Sequence, residues 1–315
     1  MAPDVTRRNA YIAWVVVCFV WGTTFLAIRI ALESIPPALI GGIRYTIAGG
    51  VMAIVFKARG MSLPERGHWP GLVLLGFLMI AIGNGFVIWA EQWVASGIAA
   101  VVLASSPFWM SAVDALARDG EPLRRGTVIG LGVGFGGILV LVWPALLGSG
   151  EWGPNFAVGV VALQLACVGW SLGSAYGKRH ARQDNALAAS AMQMLFGGIT
   201  MLVIGTLRGE WANLAFTPRT MAAELYLIVF GSICGYSAYV YALKYLPVST
   251  VSLYAYINPV IAVILGTILL GEPFTARVLL AGTLVFAGVA IVRLQMPQRS
   301  PHTKGLTSVR RLFAR

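Results

Sequence analysis

The chain carries the stretch YIAWVVVCFVWGTTFLAIRIAL at residues 11–32, in which Arg29 is the single charged residue. About twenty predominantly apolar residues of α-helix cross the roughly 30 Å core of a bilayer. The stretch is longer than the apolar core of a signal peptide, about 7–15 residues, and no clear small-residue cleavage site follows it before Arg29. We therefore interpret it as an uncleaved first transmembrane helix.

The rest of the chain repeats this pattern, with apolar blocks of about twenty residues between short polar stretches. Charged residues make up 11% of the chain and hydrophobic residues 58%, whereas soluble domains are about 25% charged. Barrel strands would alternate in segments of about ten residues, and no such alternation occurs. The sequence predicts an all-α polytopic membrane protein with ten transmembrane helices, at residues 11–32, 36–57, 69–90, 97–118, 124–147, 156–178, 186–207, 220–243, 249–270 and 275–295.

The net charge of +11 is distributed unevenly. If the amino terminus is inside, 18 of the 23 Lys and Arg residues fall in inner segments, as the positive-inside rule requires. We therefore predict a multi-pass protein of a bacterial inner membrane with both termini in the cytoplasm. The basic tail, residues 296–315, is predicted to be disordered and to contact anionic lipid rather than nucleic acid.

The two halves of the sequence resemble each other, and the matching residues keep their order. The matches are Cys18 with Cys167, Trp21 with Trp170, Arg29 with Lys178 and Gly49 with Gly198 at an offset of 149, Ala90 with Ala242 and Pro107 with Pro259 at an offset of 152, and, one residue out of that register, Gly120-Glu121-Pro122 with Gly271-Glu272-Pro273. Each half, residues 1–148 and 149–295, has five predicted spans. Because five is odd, the second half enters the membrane from the opposite side, which predicts two inverted five-helix repeats. Many transporters have this architecture, with the substrate site at the repeat interface; alternatively, the duplication only builds a stable bundle.

Five motifs stand out within the spans: Trp21-Gly22-Thr23-Thr24-Phe25, Gly83-Asn84-Gly85, Ser96-Gly97-Ile98-Ala99-Ala100, Trp170-Ser171-Leu172-Gly173 and Tyr254-Ala255-Tyr256-Ile257-Asn258-Pro259. These motifs resemble those of the drug/metabolite transporter superfamily, and specifically of its EamA family, where the likeness is greatest to the YedA-like branch. The resemblance covers about residues 10–295. It implies a ten-helix carrier with inverted repeats, whose relatives mostly export amino acids, nucleosides or drugs. Asp114 departs from the family pattern, which is usually aliphatic there, so no role for it follows from the resemblance.

Polar and aromatic side chains inside the spans are the candidates for substrate binding, because each is costly in the membrane unless it faces protein or a cavity. Trp21 and Trp170 can form two walls of one cavity and stack on an apolar or aromatic substrate, or they can simply fill the bundle. The candidate substrate-binding residues are Trp21, Thr24, Asn84, Glu91, Ser105, Trp109, Trp170, Ser174, Tyr236, Tyr239, Ser252, Tyr256 and Asn258.

Two prolines are candidate hinges. Pro107 and Pro259 each free a backbone carbonyl one turn earlier, and that carbonyl can bind a ligand or allow a bend; a static kink is the alternative.

The ionisable residues within or at the ends of the spans leave further alternatives open. Glu91 is either solvated or able to bind a proton or an ammonium group. Arg44 either pairs with a carbonyl or with Glu91, or binds substrate. Asp114 either pairs with Arg118 or couples protons, and Glu33 is four residues from Arg29, where a weak ion pair is possible.

The sequence predicts no cofactor and no metal site, since the three cysteines, at positions 18, 167 and 234, lie in apolar spans without metal-ligand spacing. In the fifth span, Gly126, Gly130 and Gly134 form a small-residue face. This face packs within the chain or, alternatively, forms a homodimer contact.

Among function classes, an enzyme is disfavoured because no HExxH motif occurs and no loop is long enough to carry a catalytic domain. A channel is disfavoured because an inverted two-fold repeat does not build a ring of identical charges. The remaining hypotheses are a transporter that exports small metabolites such as amino acids and a proton-coupled efflux carrier for cationic drugs. Drug efflux would benefit from a buried carboxylate, and Glu91 and Asp114 are the candidates that we identify, both near helix ends. We therefore expect metabolite export.

Overall fold

The computed structural model describes residues 3–116, 125–147, 153–180, 185–246, 248–251 and 253–295. Within these ranges the chain forms ten long helical segments and no strand. The segments are α1 Pro3–Ala31, α2 Pro37–Ala58, α3 Arg66–Ala90, α4 Ser96–Ala115, α5 Arg125–Leu146, α6 Phe156–Arg179, α7 Ala186–Leu207, α8 Pro218–Tyr245, α9 Tyr254–Leu270 and α10 Ala276–Gln295. Two short helices, Glu210–Asn213 and Val248–Val251, lie in connections. The predicted tail, residues 296–315, lies outside the described residues.

Eight of these segments, α1 to α8, are long and apolar enough to cross a membrane. Two shorter apolar helices, Tyr254–Leu270 and Ala276–Val292, follow them. The predicted all-α, multi-pass membrane fold is therefore confirmed. The start of α9 differs from the prediction: the predicted span began at residue 249, but Val248–Val251 forms a separate short helix and α9 begins at Tyr254.

Three of the helical segments are irregular in their interior. In α3 the stretch Gly76–Asn84 is a π-helix, and in α8 the stretch Leu227–Cys234 is another. The helix α4 is interrupted between Leu103 and Ser106. π-Helical turns are rare in proteins overall, but those that occur are often at functional sites. The helices α3 and α8 are therefore the first places to look for a functional site.

Glycines allow two pairs of helices to approach closely. In the contact of α2 with α7, a Cβ on Gly49 would lie 2.5 Å from the backbone nitrogen of Leu195. In the contact of α5 with α10, a Cβ on Gly288 would lie 2.5 Å from the carbonyl oxygen of Gly130. The α5 glycine face is thus occupied within the chain, as one of the two alternatives predicts. A homodimer stays a prediction, and a dimer contact would need another face.

The remaining contacts place α1 at the centre of one group of helices and α6 at the centre of another. The helix α1 packs against α8 and α9, whereas α6 packs against α3 and α4. Carboxylates at the helix ends support this arrangement: Glu210 accepts hydrogen bonds from the backbone N–H groups of Ala38 and Leu39 at the start of α2. Glu272 does the same for Ser96 and Gly97 at the start of α4. Each carboxylate satisfies N–H groups that have no partner within the helix.

Candidate functional site

Four aromatic rings meet where α1, α8 and α9 pack together. The ring centroid of Trp21 lies 5.5 Å from that of Tyr236, 5.2 Å from that of Tyr239 and 5.0 Å from that of Tyr254. We call these four residues the aromatic cluster. Trp21, Tyr236 and Tyr239 were predicted as candidates, and the structure brings them together; Tyr254 was quoted only as part of a motif. The contacts of Trp21 with Tyr236 and Tyr254 are edge-to-face, a geometry that adds stabilisation to that of burial.

The π-helical stretch of α8 fixes the position of the Trp21 indole. Trp21 Nε1 donates a hydrogen bond of 3.1 Å to the carbonyl oxygen of Gly231. The ring lies so close to α8 that a Cβ on Gly235 would be 2.5 Å from Trp21 Nε1. The neighbouring Thr24 is buried and donates to the Trp21 carbonyl. Only a glycine at position 235 therefore leaves room for the indole in this orientation.

Two opposite charges lie buried beside the aromatic cluster, one on α2 and one on α8. Arg44 and Glu224 are each 3% exposed. Arg44 Nε donates a hydrogen bond of 2.8 Å to Ser232 Oγ, and its guanidinium lies 4.6 Å above the ring of Tyr45. The Glu224 carboxylate lies within electrostatic range of the Arg44 side chain and close to the Arg44 backbone, and neither of its oxygens reaches a partner at hydrogen-bond geometry among the described residues. We call Arg44, Tyr45, Glu224 and Ser232 the charged cluster.

The charged and aromatic clusters are continuous. The guanidinium of Arg44 approaches Gly231, where its Nη2 would be 3.0 Å from an added Cβ, and the Gly231 carbonyl holds Trp21. Tyr236 is within electrostatic range of Arg44 and also contacts the Trp21 ring. A single site therefore joins two charges to a box of aromatic rings in the interior of the helical bundle.

Of the alternatives for Arg44, the pairing with Glu91 is wrong. Arg44 donates to Ser232 and acts electrostatically on Glu224, both on α8, because α2 packs against the π-helical stretch of α8. Glu224 was not predicted, since it is the seventh residue of α8 and resembles an ordinary end-of-helix charge. The position of Arg44, eight residues into the second predicted span, could have indicated such a carboxylate, because a buried cation needs an anion nearby.

Trp170 lies in a different place from Trp21. It packs on the π-helical stretch of α3, where a Cβ on Gly83 would be 3.4 Å from Trp170 Cε3. In the same stretch Asn84 Nδ2 donates 2.9 Å to the Met79 carbonyl. Among the described residues, no ring contact links Trp170 to Trp21 or its aromatic neighbours. Ser174 is half-buried one turn further along α6.

A third group of candidates lies between α4 and α6. Trp109 Nε1 donates 2.8 Å to Gln164 Oε1, and Ser105 is fully buried near the same amide. Ser105 and Ser106 also approach the Cys167 sulfur. Gln164 was missed by the sequence reasoning, although a glutamine inside an apolar span is itself a signal that a hydrogen-bond partner lies nearby.

Glu91 directly follows the last residue of α3. It is 0% exposed, which contradicts the interpretation that it is solvated. Arg29 donates to its backbone carbonyl, and Arg29 and Glu272 are the charges that act on its carboxylate. Burial follows from the tight turn between α3 and α4, which places Glu91 under the end of α9.

Of the two other predicted pairings, the structure corrects one and leaves the other a prediction. Glu33 pairs at 3.1 Å with Arg219, and not with Arg29, because the connection before α8 lies over the end of α1. Asp114 is exposed on α4, and Arg118 lies outside the described residues.

The candidate hinges occupy helices α4 and α9. Pro107 follows the interruption of α4, and the Ser106 hydroxyl donates 2.6 Å to the Leu103 carbonyl that the proline leaves free. Pro259 is buried inside α9. With its amide nitrogen turned toward them, Asn258 donates 2.9 Å to the carbonyls of Tyr254 and Cys18. These contacts fix the irregular backbone; the hinge roles stay predictions.

Two candidates add little to these groups. Tyr256 is half-buried, with its ring 6.0 Å from that of Phe286. Ser252 lies outside the described residues.

Two other kinds of site, a hydrolase nucleophile and a metal site, can be compared directly with the structure. The letters Gly169-Trp170-Ser171-Leu172-Gly173 match the pattern of a hydrolase nucleophile turn. They lie inside helix α6 and not between a strand and a helix, and the buried Ser171 hydroxyl donates to the Cys167 carbonyl one turn earlier. Within the described ranges no group of three or more His, Cys, Asp or Glu residues is placed to hold a metal ion.

Apolar helices long enough to cross a membrane, with a few polar and charged side chains buried among them, define a multi-pass membrane protein. A model of the EamA-like transporter family matches residues 8–143 and 157–294. The chain therefore belongs to the EamA-like transporter family, as its motifs predicted.

Individual relatives agree with this assignment. The chain is 34% identical over 274 residues to the uncharacterized inner membrane transporter YedA of Escherichia coli (strain K12), a match that covers 86% of this chain and 87% of YedA. It is 27% identical over 299 residues to a probable amino-acid metabolite efflux pump of Salmonella typhimurium (strain LT2), covering 91% and 95% of the two chains. A crystal structure of another protein has the same fold, with a TM-score of 0.63, 21% identity and coverage of 90% of this chain and 97% of that one.

Proposed function

We propose that this EamA-family transporter is an alternating-access carrier that exports small metabolites, such as amino acids or related amphipathic solutes, across an inner membrane. The observation that carries the proposal is the continuous site formed by the charged and aromatic clusters inside the bundle. Charges in a membrane interior are expensive and mark substrate or ion pathways. The names of the E. coli and Salmonella relatives, an inner membrane transporter and a probable amino-acid metabolite efflux pump, agree with this function.

The proposed architecture is ten membrane helices in two inverted repeats with both termini in the cytoplasm. Three observations support it. The family model matches the chain twice; the contacts of α1 with α8 and α9 have counterparts in those of α6 with α3 and α4; and Asn258 contacts Cys18 while Ser106 contacts Cys167. In the last observation, Asn258 corresponds to Ser106 at the offset of 152, and Cys18 corresponds to Cys167 at the offset of 149. Two alike halves of opposite orientation can exchange conformations and so open the site to either side in turn.

A second candidate, proton-coupled efflux of cationic drugs, is favoured by one observation, the buried carboxylate of Glu224. The adjacent Arg44 weighs against it, because a guanidinium beside the carboxylate leaves the site with no net negative charge for a monocation. A site with one charge of each sign fits a net-neutral solute better. Metabolite export is therefore the first candidate.

Measurement of which solutes the protein transports tests the proposed function. Cells that lack the protein should accumulate its substrates, and cells that overproduce it should lose them; unchanged profiles in both would contradict export. Reconstituted protein should show saturable counterflow, which separates a carrier from a pore. We expect Trp21→Ala and Trp170→Ala to abolish counterflow while the protein still inserts; normal rates in both would remove these tryptophans from the transport pathway.

The architecture is tested by labelling single cysteines from each side of the membrane. A cysteine at Arg59 should react from the cytoplasmic side and one at Arg208 from the outer side. Reaction of both from one side would overturn the inverted arrangement.

A further inference from the structure

The charged cluster is not arranged as a structural ion pair. Arg44 and Glu224 are both buried, but they are not joined by a direct salt bridge among the described residues. Both carboxylate oxygens lack hydrogen-bond partners, and the same holds for the buried hydroxyl of Tyr45 next to Arg44. The contact with Ser232 is the one hydrogen bond recorded for the Arg44 side chain in the described part of the chain. The Glu224 carboxylate and the Tyr45 hydroxyl are therefore buried near Arg44 without a hydrogen-bond partner in the described ranges.

This arrangement is costly for stability alone. Taking a carboxylate and a guanidinium out of water costs several kcal/mol per ion, which is recovered only when the pair is well hydrogen-bonded. An arginine and a carboxylate that serve structure reach the favourable geometry through two parallel hydrogen bonds. Polar groups that remain buried and unpaired in a native protein call for another explanation. A ligand that supplies one group to each of them is such an explanation.

The chemistry of the ligand follows from the charges and their neighbours. The guanidinium is matched by a carboxylate, and the Glu224 carboxylate by an ammonium group. The aromatic cluster begins beside them, at Tyr236 and Trp21, and fits an apolar or aromatic body. A monocation or a monoanion would satisfy one protein charge and leave the other unpaired.

We propose that Arg44 and Glu224 form the head-group subsite for a zwitterionic amino acid, whose side chain lies against Trp21 and Tyr236. This inference rests on the proposed carrier function and assigns its substrate class to named residues. Arg44 binds the α-carboxylate, Glu224 binds the α-ammonium group, and the Tyr45 hydroxyl is placed to donate to the same carboxylate.

Binding of three matched probes to the purified full chain tests the subsite. The probes are phenylalanine, phenethylamine, which lacks the carboxylate, and 3-phenylpropionate, which lacks the ammonium group; isothermal titration calorimetry gives each Kd. A hydrogen bond between charged groups contributes about tenfold or more in affinity. We therefore expect wild-type protein to bind phenylalanine at least about tenfold more tightly than either analogue. Equal affinities, or no binding of any probe, would overturn the inference, and this test needs no variant that must fold.

Two variants assign the charges. Glu224→Gln should weaken the binding of phenylalanine and phenethylamine but leave the affinity for 3-phenylpropionate unchanged. Arg44→Gln should weaken the binding of phenylalanine and 3-phenylpropionate but leave the affinity for phenethylamine unchanged. If Arg44→Gln does not fold, Arg44→Lys retains the charge without the planar fork and should weaken the two carboxylate probes selectively. Loss of all probes in equal proportion in a folded variant would indicate a structural role and contradict the subsite.

Matched controls come from the exposed ion pair of Glu33 and Arg219. Glu33→Gln and Arg219→Gln remove the same charges from residues in which the side chains are 46% and 58% exposed. We expect wild-type affinities in both. Counterflow separates the two proposals: selective binding without counterflow would contradict the carrier but keep the subsite. Counterflow of phenylalanine that is unaffected in Glu224→Gln and Arg44→Gln would contradict the subsite but keep the carrier.

Discussion

The surroundings of Trp21 and Trp170 share a backbone arrangement and differ in charge. Each tryptophan comes from a helix that begins a half of the sequence. Trp21 packs against Gly235, directly after the π-helical stretch of α8, and Trp170 packs against Gly83, within that of α3. The two glycines are 152 positions apart, the offset that relates the later parts of the halves. A carbonyl at the same offset accepts a side-chain hydrogen bond in each region: Gly231 from the Trp21 indole, and Met79 from an asparagine.

The side chains around these carbonyls have diverged. Arg44 approaches Gly231, and 149 positions later Gln193 approaches the Met79 sulfur at 3.5 Å. Glu224 corresponds at an offset of 152 to Leu72, which is buried. The neutral region packs with the same backbone as the charged one, so the backbone does not require the charges. The buried pair near Trp21 is an addition to the architecture, and a solute that needs both charges explains it.

The largest effect should follow from breaking the pair near Trp21. Arg44→Gln leaves a carboxylate buried without its cation, and removing one partner of a buried pair costs about 3–5 kcal/mol. The double variant Arg44→Gln, Glu224→Leu copies the neutral region and should recover most of this loss. Gln193→Leu, the matched change near Trp170, should cost less than about 1 kcal/mol. Unfolding in mixed detergent micelles measures the stability of all three variants. If Arg44→Gln is as stable as wild type, the two regions do not differ in this respect.

An added methyl group should have a larger effect at Gly235 than at Gly83. The Cβ of Gly235→Ala would lie 2.5 Å from Trp21 Nε1, whereas that of Gly83→Ala would be 3.4 Å from the Trp170 ring. Overpacking typically costs about 1–3 kcal/mol, so Gly235→Ala should destabilise the protein by this amount and Gly83→Ala by less than about 1 kcal/mol. The tryptophan fluorescence of the folded variants should shift only for Gly235→Ala. Equal losses at the two positions would contradict the closer approach of Trp21.

The indole hydrogen bond should give a smaller difference. Trp21→Phe removes the donor to the Gly231 carbonyl, while no hydrogen bond of the Trp170 indole is recorded among the described residues. Both variants lose similar ring area, so the hydrogen bond alone should make Trp21→Phe less stable than Trp170→Phe by about 1 kcal/mol. The same unfolding experiment gives the difference, and a reversed order would show that ring packing outweighs the hydrogen bond.

The smallest effect should come from the exposed ion pair of Glu33 and Arg219. Glu33 and Arg219 are 3.1 Å apart, but both side chains are more than one-third exposed. Exposed pairs contribute about 0–1 kcal/mol and are screened by salt. Glu33→Gln should therefore change the free energy of unfolding by less than about 1 kcal/mol, and the change should vanish in 1 M salt. A salt-independent loss comparable to that of Arg44→Gln would contradict the view that burial sets the two pairs apart.

Local properties of the sequence were enough to predict the helices. The predicted span 186–207 coincides with α7, because its apolar composition and the Asn185 cap are encoded in adjacent residues. The start of α9 was misplaced, since the apolar run continues through a break that follows from backbone geometry. The π-helical stretches in α3 and α8 leave no mark in the hydrophobic pattern, because each is mostly apolar with a polar residue, Asn84 or Ser232, as in an ordinary membrane helix.

The site was predictable only where a single residue type is unusual in a membrane. Trp21, Tyr236 and Tyr239 stood out as polar aromatic residues within spans, and the structure brings them together. Their alignment with Glu224 and Arg44 depends on how α2 and α8 pack, which no local property specifies. Glu91 was misjudged for the same reason, because its burial comes from neighbouring helices.

The π-helical stretch of α8 also sets the rotational phase of that helix. An α-helix turns by about 100° per residue, so Glu224 and Tyr236, which lie twelve positions apart, would point about 120° away from each other in an uninterrupted helix. A π turn takes up one extra residue before the regular ladder resumes; this subtracts about 100° and leaves about 20° between them. Deletion of one residue from Leu227–Cys234 would turn carboxylate and ring out of alignment while every side chain of the site stayed in the chain.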